Sequence, residues 1–269
     1  MHLTGWSCRC LKSRYRMNAA GAPRRPLRAL TVLSRGALLV VCVWLAGPAG
    51  AGERIVSAAF SGPTQAYAHC ILGDCVEFSA LEIVSRTQRG TLVSRSTQLA
   101  SQPFVFEDIS PRLWDITGDG APEVVVVLTS FTRGASLVVF GVEGIIAQTP
   151  YIGRTNRWLA PVGAADFDGD GRIEVAFIDR PHLAKILRVF EWNGTELVLD
   201  AELDGLTNHR IGEGFITGGL RTCNGLPEMV TADAQWDNVM VTSFDESWSS
   251  VSVGAYSTDA LSDALGCRL

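Results

Sequence analysis

The residues best suited to chemistry stand at 166–174, where aspartates alternate with other residues in the sequence Asp-Phe-Asp-Gly-Asp-Gly-Arg-Ile-Glu. Carboxylates at every second position of a tight turn can converge on one point, and Gly171 permits the turn. Oxygen ligands in such irregular arrays suit Ca²⁺. The predicted ligands are the main-chain carbonyl of Arg172 and the side chains of Asp166, Asp168, Asp170 and Glu174. The alternative is an Asp/Gly turn without a metal.

The pattern recurs elsewhere in the chain. Fifty-one residues earlier, residues 115–123 read Asp-Ile-Thr-Gly-Asp-Gly-Ala-Pro-Glu. Here the predicted ligands are Asp115, Thr117, Asp119, the Ala121 carbonyl and Glu123. Thr117 contributes a neutral oxygen, so we expect weaker metal binding, and a turn without metal is again the alternative. A degenerate copy at 220–228 has lost its acidic residues apart from the final Glu228.

Each loop is followed by a short apolar run, and alternating runs follow that one. A repeat of this period is typical of a supersecondary unit that buries its apolar face against copies of itself. Four antiparallel strands per unit predict a blade of a β-propeller. The strands expected are 104–114, 123–128, 136–142 and 145–149; 157–165, 174–178, 186–192 and 196–203; 210–220, 228–232, 239–244 and 248–255; with a divergent unit at 66–72, 76–86 and 91–99. We predict an all-β fold, a small β-propeller of about four four-stranded blades with Asp-rich calcium loops, and no helix beyond residue 51. A β-sandwich or an open repeat array is the alternative.

The loop followed by a strand resembles the VCBS and FG-GAP repeats, which also occur in the head propeller of integrin α subunits. The resemblance covers residues 104–250 well and 60–103 loosely. It implies a calcium-binding propeller, in which we expect the metal to be structural. The wider chain is similar to a group of exported bacterial proteins with such repeats, and that group implies no particular activity.

The first 51 residues carry eight basic residues, no acidic residue and an uncharged run at 36–52. They read as a signal peptide cleaved near Ala51, with Met17 as an alternative start. An uncleaved membrane anchor is the other interpretation. We therefore expect a secreted or periplasmic protein that consists of a domain at 52–269 and has no membrane span after cleavage.

Residues 52–269 hold 28 acidic and 15 basic residues, a net charge of −13. This charge argues against general nucleic-acid binding, which needs a basic footprint. Four cysteines remain in this segment and allow three pairings. We favour Cys70–Cys75, which would close a first-blade loop aligned with the acidic loops, and Cys223–Cys267, which would fix the C-terminal tail.

Strand direction places the acidic loops on one face of the propeller and a set of cationic, polar and aromatic residues on the opposite face. The predicted ligand-binding residues there are Arg154, Asn156, Arg157, Trp158, Arg180, His182, Asn208, His209 and Arg210. In so acidic a domain they indicate a site for an anionic glycan, a phosphate-bearing ligand or an acidic protein surface. Solvated charges paired locally are the alternative.

The sequence contains none of the common catalytic motifs. We therefore expect a monomeric binding or scaffolding module rather than an enzyme. The alternative function is a channel-centred, glycosidase-like hydrolase with two carboxylates facing each other across the propeller.

Overall fold

The computed structural model describes residues 52–99, 102–223 and 225–269. The predicted signal peptide lies outside the described residues. The described chain is all-β, as predicted, and contains one short helix that was not predicted. No helix in this part of the chain is long and apolar enough to cross a membrane.

The first three strands form an antiparallel meander. Strands β1 (Arg54–Thr64) and β3 (Leu92–Gln98) both pair with β2 (Glu77–Arg86). The strand expected at 66–72 is wrong, because this segment turns through residues with positive φ, Ala68 and Cys70, and cannot extend along a neighbour. β1 pairs with β2 along its whole length.

The next unit contains β4 (Phe104–Phe106), β5 (Arg112–Trp114), β6 (Glu123–Ser130), β7 (Gly134–Gly141) and β8 (Gly144–Gln148). β4 and β5 pair with the two ends of β6, so the single strand predicted at 104–114 is interrupted. In the gap, the Asp108 carboxylate accepts the amide of Val127 at 2.9 Å and takes the place of a backbone partner.

The third unit is the one that the sequence predicts most closely. It contains β9 (Leu159–Ala165), β10 (Glu174–Asp179), β11 (Ile186–Trp192) and β12 (Leu197–Asp204), in that spatial order. Every residue of the central strand β10 is buried. The small residues of β9 leave room for the next sheet, because a Cβ on Gly163 would lie 2.4 Å from the Leu220 side chain.

The last unit contains β13 (Leu206–Thr207), β14 (Gly219–Arg221), β15 (Glu228–Asp233), β16 (Asn238–Asp245) and β17 (Ser247–Ala255). β13 and β14 pair with opposite ends of β15. The strand predicted at 210–220 is therefore wrong over most of its length, where the chain forms a loop. That loop is held at its start by the buried Asn208 side chain, which donates to the carbonyl of Ala160 on β9 at 3.2 Å.

Helix α1 (Thr258–Leu265) corrects the expectation that the domain has no helix. The Ser257 side chain caps its first turn by accepting the Ala260 amide at 3.0 Å. Ala264 is buried in a cluster with Val230, Val239 and Val241, so the helix covers one face of the last sheet.

The three later units each have the strand order of a propeller blade, and neighbouring sheets share apolar clusters. The first meander is joined to the second unit in one eight-stranded sheet by a single pair, Phe78 on β2 and Phe106 on β4. The described residues form no closed propeller.

Candidate functional site

The acidic loop at 166–174 connects β9 to β10 and is anchored by Phe167, which is completely buried. The Asp166 carboxylate accepts the amides of Gly169 at 2.7 Å and Gly171 at 3.1 Å. Both glycines have positive φ, which their lack of a Cβ permits. These bonds fold the loop tightly around its own first carboxylate.

Glu174 is the least ordinary group of this loop. It is 1% exposed, and its Oε2 accepts the Phe167 amide at 2.8 Å. Its Oε1 is buried and makes no hydrogen bond within the described residues. Burial, followed by the nearby charges of the loop aspartates, raises the pKa of Glu174 to about 7. A buried, unpartnered carboxylate oxygen is costly unless a cation or a proton satisfies it.

Two groups of carboxylates converge on Glu174. Ligand oxygens of Asp166, Asp168 and Glu174 lie within 4.8 Å of one another, and so do those of Asp170, Glu174 and Glu191. Asp170 also forms an ion pair with Arg172, whose Nε lies 2.8 Å from Oδ2. The donor atoms are all carboxylate oxygens, so the residues present fit a hard divalent cation such as Ca²⁺. In such a site Asp166, Asp168 and Glu174 would hold the ion.

Glu191 is a member of this cluster that the sequence analysis missed. It lies on β11 directly opposite Glu174 in the strand register. Its position could have been predicted from the sequence. Strands β10 and β11 form an antiparallel hairpin, and counting back along both strands from the turn places residues 174 and 191 side by side.

The loop at 115–123 has the same backbone design and a different final carboxylate. Asp115 again accepts two loop amides, those of Gly118 and Gly120, each at 2.8 Å. Glu123, however, uses both oxygens within the protein: Oε2 accepts the Ile116 amide at 2.8 Å and Oε1 accepts the Thr117 hydroxyl at 3.3 Å. Burial raises the pKa of Glu123. Across the described residues, three carboxylates converge at the 166–174 loop and not at this one.

The degenerate copy at 220–228 is stabilised by other means. Glu228 accepts a 2.7 Å bond from Arg221, and Arg221 also donates to the carbonyl of Ala264 at the end of α1. The disulfide Cys223–Cys267 joins this loop to the C-terminal tail, which confirms the predicted pairing.

The second predicted disulfide, Cys70–Cys75, is also confirmed. It closes a loop in which Glu77, the first residue of β2, accepts the amides of Ala68 and His69. The amide of Asn156 donates to Tyr67 Oη at 2.6 Å, and the Ile71 carbonyl accepts the amide of Gly212 at 3.1 Å. This loop therefore contacts the cationic segments near 156 and 212, although its alignment with the acidic loops predicted the other face.

Beside these contacts lies an open cavity of about 240 Å³, which we call the histidine cavity. Five of the predicted ligand-binding residues line it: Asn156, Arg157, Trp158, Arg180 and His182. Four residues that the sequence analysis missed complete the lining: His69, Ile71, Leu183 and Ile211.

One side of the cavity is built on a buried carboxylate. His69 Nδ1 is paired with Glu107, whose other oxygen accepts the Thr129 hydroxyl at 2.7 Å. The carbonyl of Glu107 accepts the Trp158 indole N–H at 2.8 Å. The His69 ring is thus fixed through Nδ1, and Nε2 is the nitrogen that remains for a ligand.

The other side is built on two histidines. His209 Nε2 lies 2.8 Å from the Glu213 carbonyl, and His209 Nδ1 lies 2.9 Å from His182 Nε2. Burial lowers the pKa of both rings, and that of His182 falls to about 4. Because a carbonyl only accepts, His209 carries its proton on Nε2 and accepts at Nδ1 from His182. The neutral His182 therefore keeps an unprotonated Nδ1.

The remaining predicted residues lie outside the cavity. Arg154 is exposed. Asn208 is buried and donates to the carbonyl of Ala160 on β9. His209 is hydrogen-bonded to His182 and does not itself line the cavity. The guanidinium of Arg210 stacks 3.9 Å from the ring centre of Trp236.

Arginine charges differ in how far they are compensated. Arg180 donates twice to the buried Asp179, at 2.8 and 2.9 Å. Arg157 donates to the carbonyl of Asn156 at 2.7 Å and forms no ion pair with any described residue. No Asp or Glu lines the cavity. Arg157 is therefore the cation through which this cavity can attract an anion.

Comparison with protein-family models matches residues 115–177 to the FG-GAP-like repeat. The match runs from the first acidic loop through the second and into β10. A comparison with curated proteins gives no match.

Proposed function

We propose that this FG-GAP-like repeat protein is an exported, calcium-stabilised binding module that takes an anionic ligand in the histidine cavity. The observation that carries the proposal is Arg157, which has no ion-pair partner among the described residues, in a cavity that no Asp or Glu lines, within a strongly acidic domain. A cation in such surroundings favours a carboxylate or phosphate group of a ligand.

Calcium enters the proposal as a structural ion. The convergent loop lies at the start of β10, whereas Trp158 and Arg180 of the cavity flank the other end of β9 and β10. A Ca²⁺ ion bound at Glu174 would place positive charge beside a buried carboxylate. It would also link the loop that follows β9 to strand β10. The ion and the ligand would thus occupy opposite ends of one sheet.

The cavity lining also favours binding over two-carboxylate hydrolysis. The buried acids nearest to it are engaged elsewhere: Glu107 with His69 and Thr129, and Asp179 with Arg180 and Arg188. The two disulfides are typical of an exported protein, because such bonds persist in oxidising compartments.

The test compares Arg157→Gln with Arg154→Gln, two variants that remove the same charge three residues apart. Binding of acetate, phosphate and sulfate would be measured by calorimetry and by chemical-shift perturbation at constant ionic strength. We expect Arg157→Gln to weaken anion binding about tenfold or more, while Arg154→Gln leaves it unchanged. Equal losses in both variants would mean that general surface charge attracts the anions and would refute the site.

A further inference from the structure

The histidine cavity also carries information about the class of anion. Its volume of about 240 Å³ lies below the ~300–1,000 Å³ of sites for drug-sized ligands, so it suits a single ring or a short side chain. Leu183 and Ile211, at 63% and 69% exposure, leave apolar surface open to solvent at its mouth. A ligand that fits has one compact polar group inside and a nonpolar face toward these residues.

The polar atoms of the cavity call for two kinds of group on that ligand. Arg157 supplies donors and a positive charge, which suit a carboxylate. His182 also lines the cavity, and its Nδ1 has the opposite character, that of an acceptor, because its other nitrogen donates to His209. An acceptor at this position needs a ligand hydroxyl or N–H, which acetate, sulfate and a bare carboxylate at neutral pH lack. Acetate and sulfate therefore satisfy only half of the cavity.

Resting on the proposed function, we infer that the histidine cavity recognises a hydroxylated ring acid, a uronic acid residue, with its carboxylate on Arg157 and a ring hydroxyl donating to His182. The apolar C–H face of the sugar would lie toward Ile71, Leu183 and Ile211. Trp158 does not serve as a stacking platform, since its ring is 2% exposed and its N–H is bound to Glu107. The residue can come from a free monosaccharide or from the end of an acidic polysaccharide.

The fixed ring of His69 strengthens the assignment. Glu107 is 2% exposed and holds Nδ1, so the ring cannot rotate without breaking a buried pair. Two imidazoles line the same cavity, one held by a carboxylate and one by a second histidine. Such preorganised rings bind a ligand of fixed geometry better than a mobile anion.

The experiment titrates the intact domain with four probes: galacturonate, galactose, acetate and trigalacturonate. We expect galacturonate to bind at least tenfold more tightly than either galactose, which lacks the carboxylate, or acetate, which lacks the hydroxyls. Comparable binding of trigalacturonate would identify a polysaccharide end as the source, and binding of the monosaccharide alone would identify free sugar acids. Both outcomes support the inference.

The variant His182→Phe keeps an aromatic ring beside His209 and removes the acceptor. It should weaken galacturonate about fivefold and leave acetate binding unchanged, a split that a merely misfolded cavity would not give. If acetate binds as tightly as galacturonate through Arg157, the anion site stands and the sugar inference is refuted. If no anion binds in an Arg157-dependent way, the proposed function fails as well.

Discussion

Replacing Glu174 with Gln distinguishes the contribution of this carboxylate to metal binding from its contribution to the stability of the metal-free fold. The substitution keeps the volume of the side chain and an oxygen that can accept the Phe167 amide, and it removes the charge. Without metal, the wild-type carboxylate is buried beside three aspartates and its pKa stands at about 7. The neutral amide avoids that cost, so without Ca²⁺ we expect the variant to be as stable as the wild type or slightly more stable.

With Ca²⁺ the order should reverse. A ligand at one hundred times its dissociation constant stabilises the native state by about 2.7 kcal/mol. For a domain of this length each kcal/mol raises the melting temperature by about 2–4 °C. Ca²⁺ should therefore raise the wild-type melting temperature by about 5–11 °C, and Glu174→Gln should lose most of that increase.

The assay is thermal unfolding followed by circular dichroism, in excess chelator, in Ca²⁺ and in Mg²⁺, with the disulfides intact. Glu123→Gln is the matched control, because Glu123 closes the equivalent loop with both oxygens already bonded. That variant should lose similar stability with and without Ca²⁺. A Ca²⁺ shift that survives Glu174→Gln, or that vanishes equally in both variants, would refute the assignment of Glu174 as the deciding ligand.

Three further predictions follow from other parts of the fold. Replacing both members of Cys223–Cys267 with Ser should lower the free energy of unfolding in denaturant by about 4 kcal/mol on the chain-entropy estimate; a loss below about 1 kcal/mol would show that α1 holds the tail without the bond. Burial lowers the pKa of His182 to about 4. The difference from the unfolded value contributes roughly 3 kcal/mol to the free energy of unfolding, which is complete above pH 6.5 and is lost as the pH falls toward 4. Urea midpoints between pH 7 and 4 should therefore fall more steeply in the wild type than in His182→Phe, and parallel curves would contradict this. A Cβ on Gly73 would lie 2.4 Å from the Gly212 carbonyl oxygen, at a positive φ of 89°. Gly73→Ala should thus increase amide exchange in both contacting loops, while Gly90→Ala, at a similar φ with open space around it, should not affect them.

The sequence was sufficient to predict strands and turns where the local residue pattern agrees with the packing of the folded chain. The central strands β6 and β10 are continuous apolar runs because both of their faces are covered, and they lie where the runs predicted them. The turn at Asn193-Gly194 joins β11 to β12 as expected, and the Asn193 side chain accepts the amides of Thr195 and Glu196. The two disulfide pairings were predicted from the repeat alignment.

The errors have a common physical cause in contacts between residues distant in sequence. The strands predicted at 104–114 and 210–220 are interrupted because Asp108 and Asn208 bond to the backbone of neighbouring strands instead of continuing their own ladder. Helix α1 has only eight residues and depends on the last sheet for its buried side. His69 was missed because the loop that carries it docks beside Asn156, and only the folded chain brings these segments together.

The histidine cavity lies between the first meander, which belongs to the eight-stranded sheet, and the neighbouring sheet β9–β12. His69 and Ile71 come from the loop of the first meander, whereas Arg157, Trp158 and His182 come from the segments that precede β9 and follow β10. A ligand in the cavity therefore acts as a non-covalent crosslink between these parts, and its binding is thermodynamically coupled to their association. A change that lowers the population of the associated state, even one far from every atom that the ligand touches, must weaken the apparent affinity in proportion to that population.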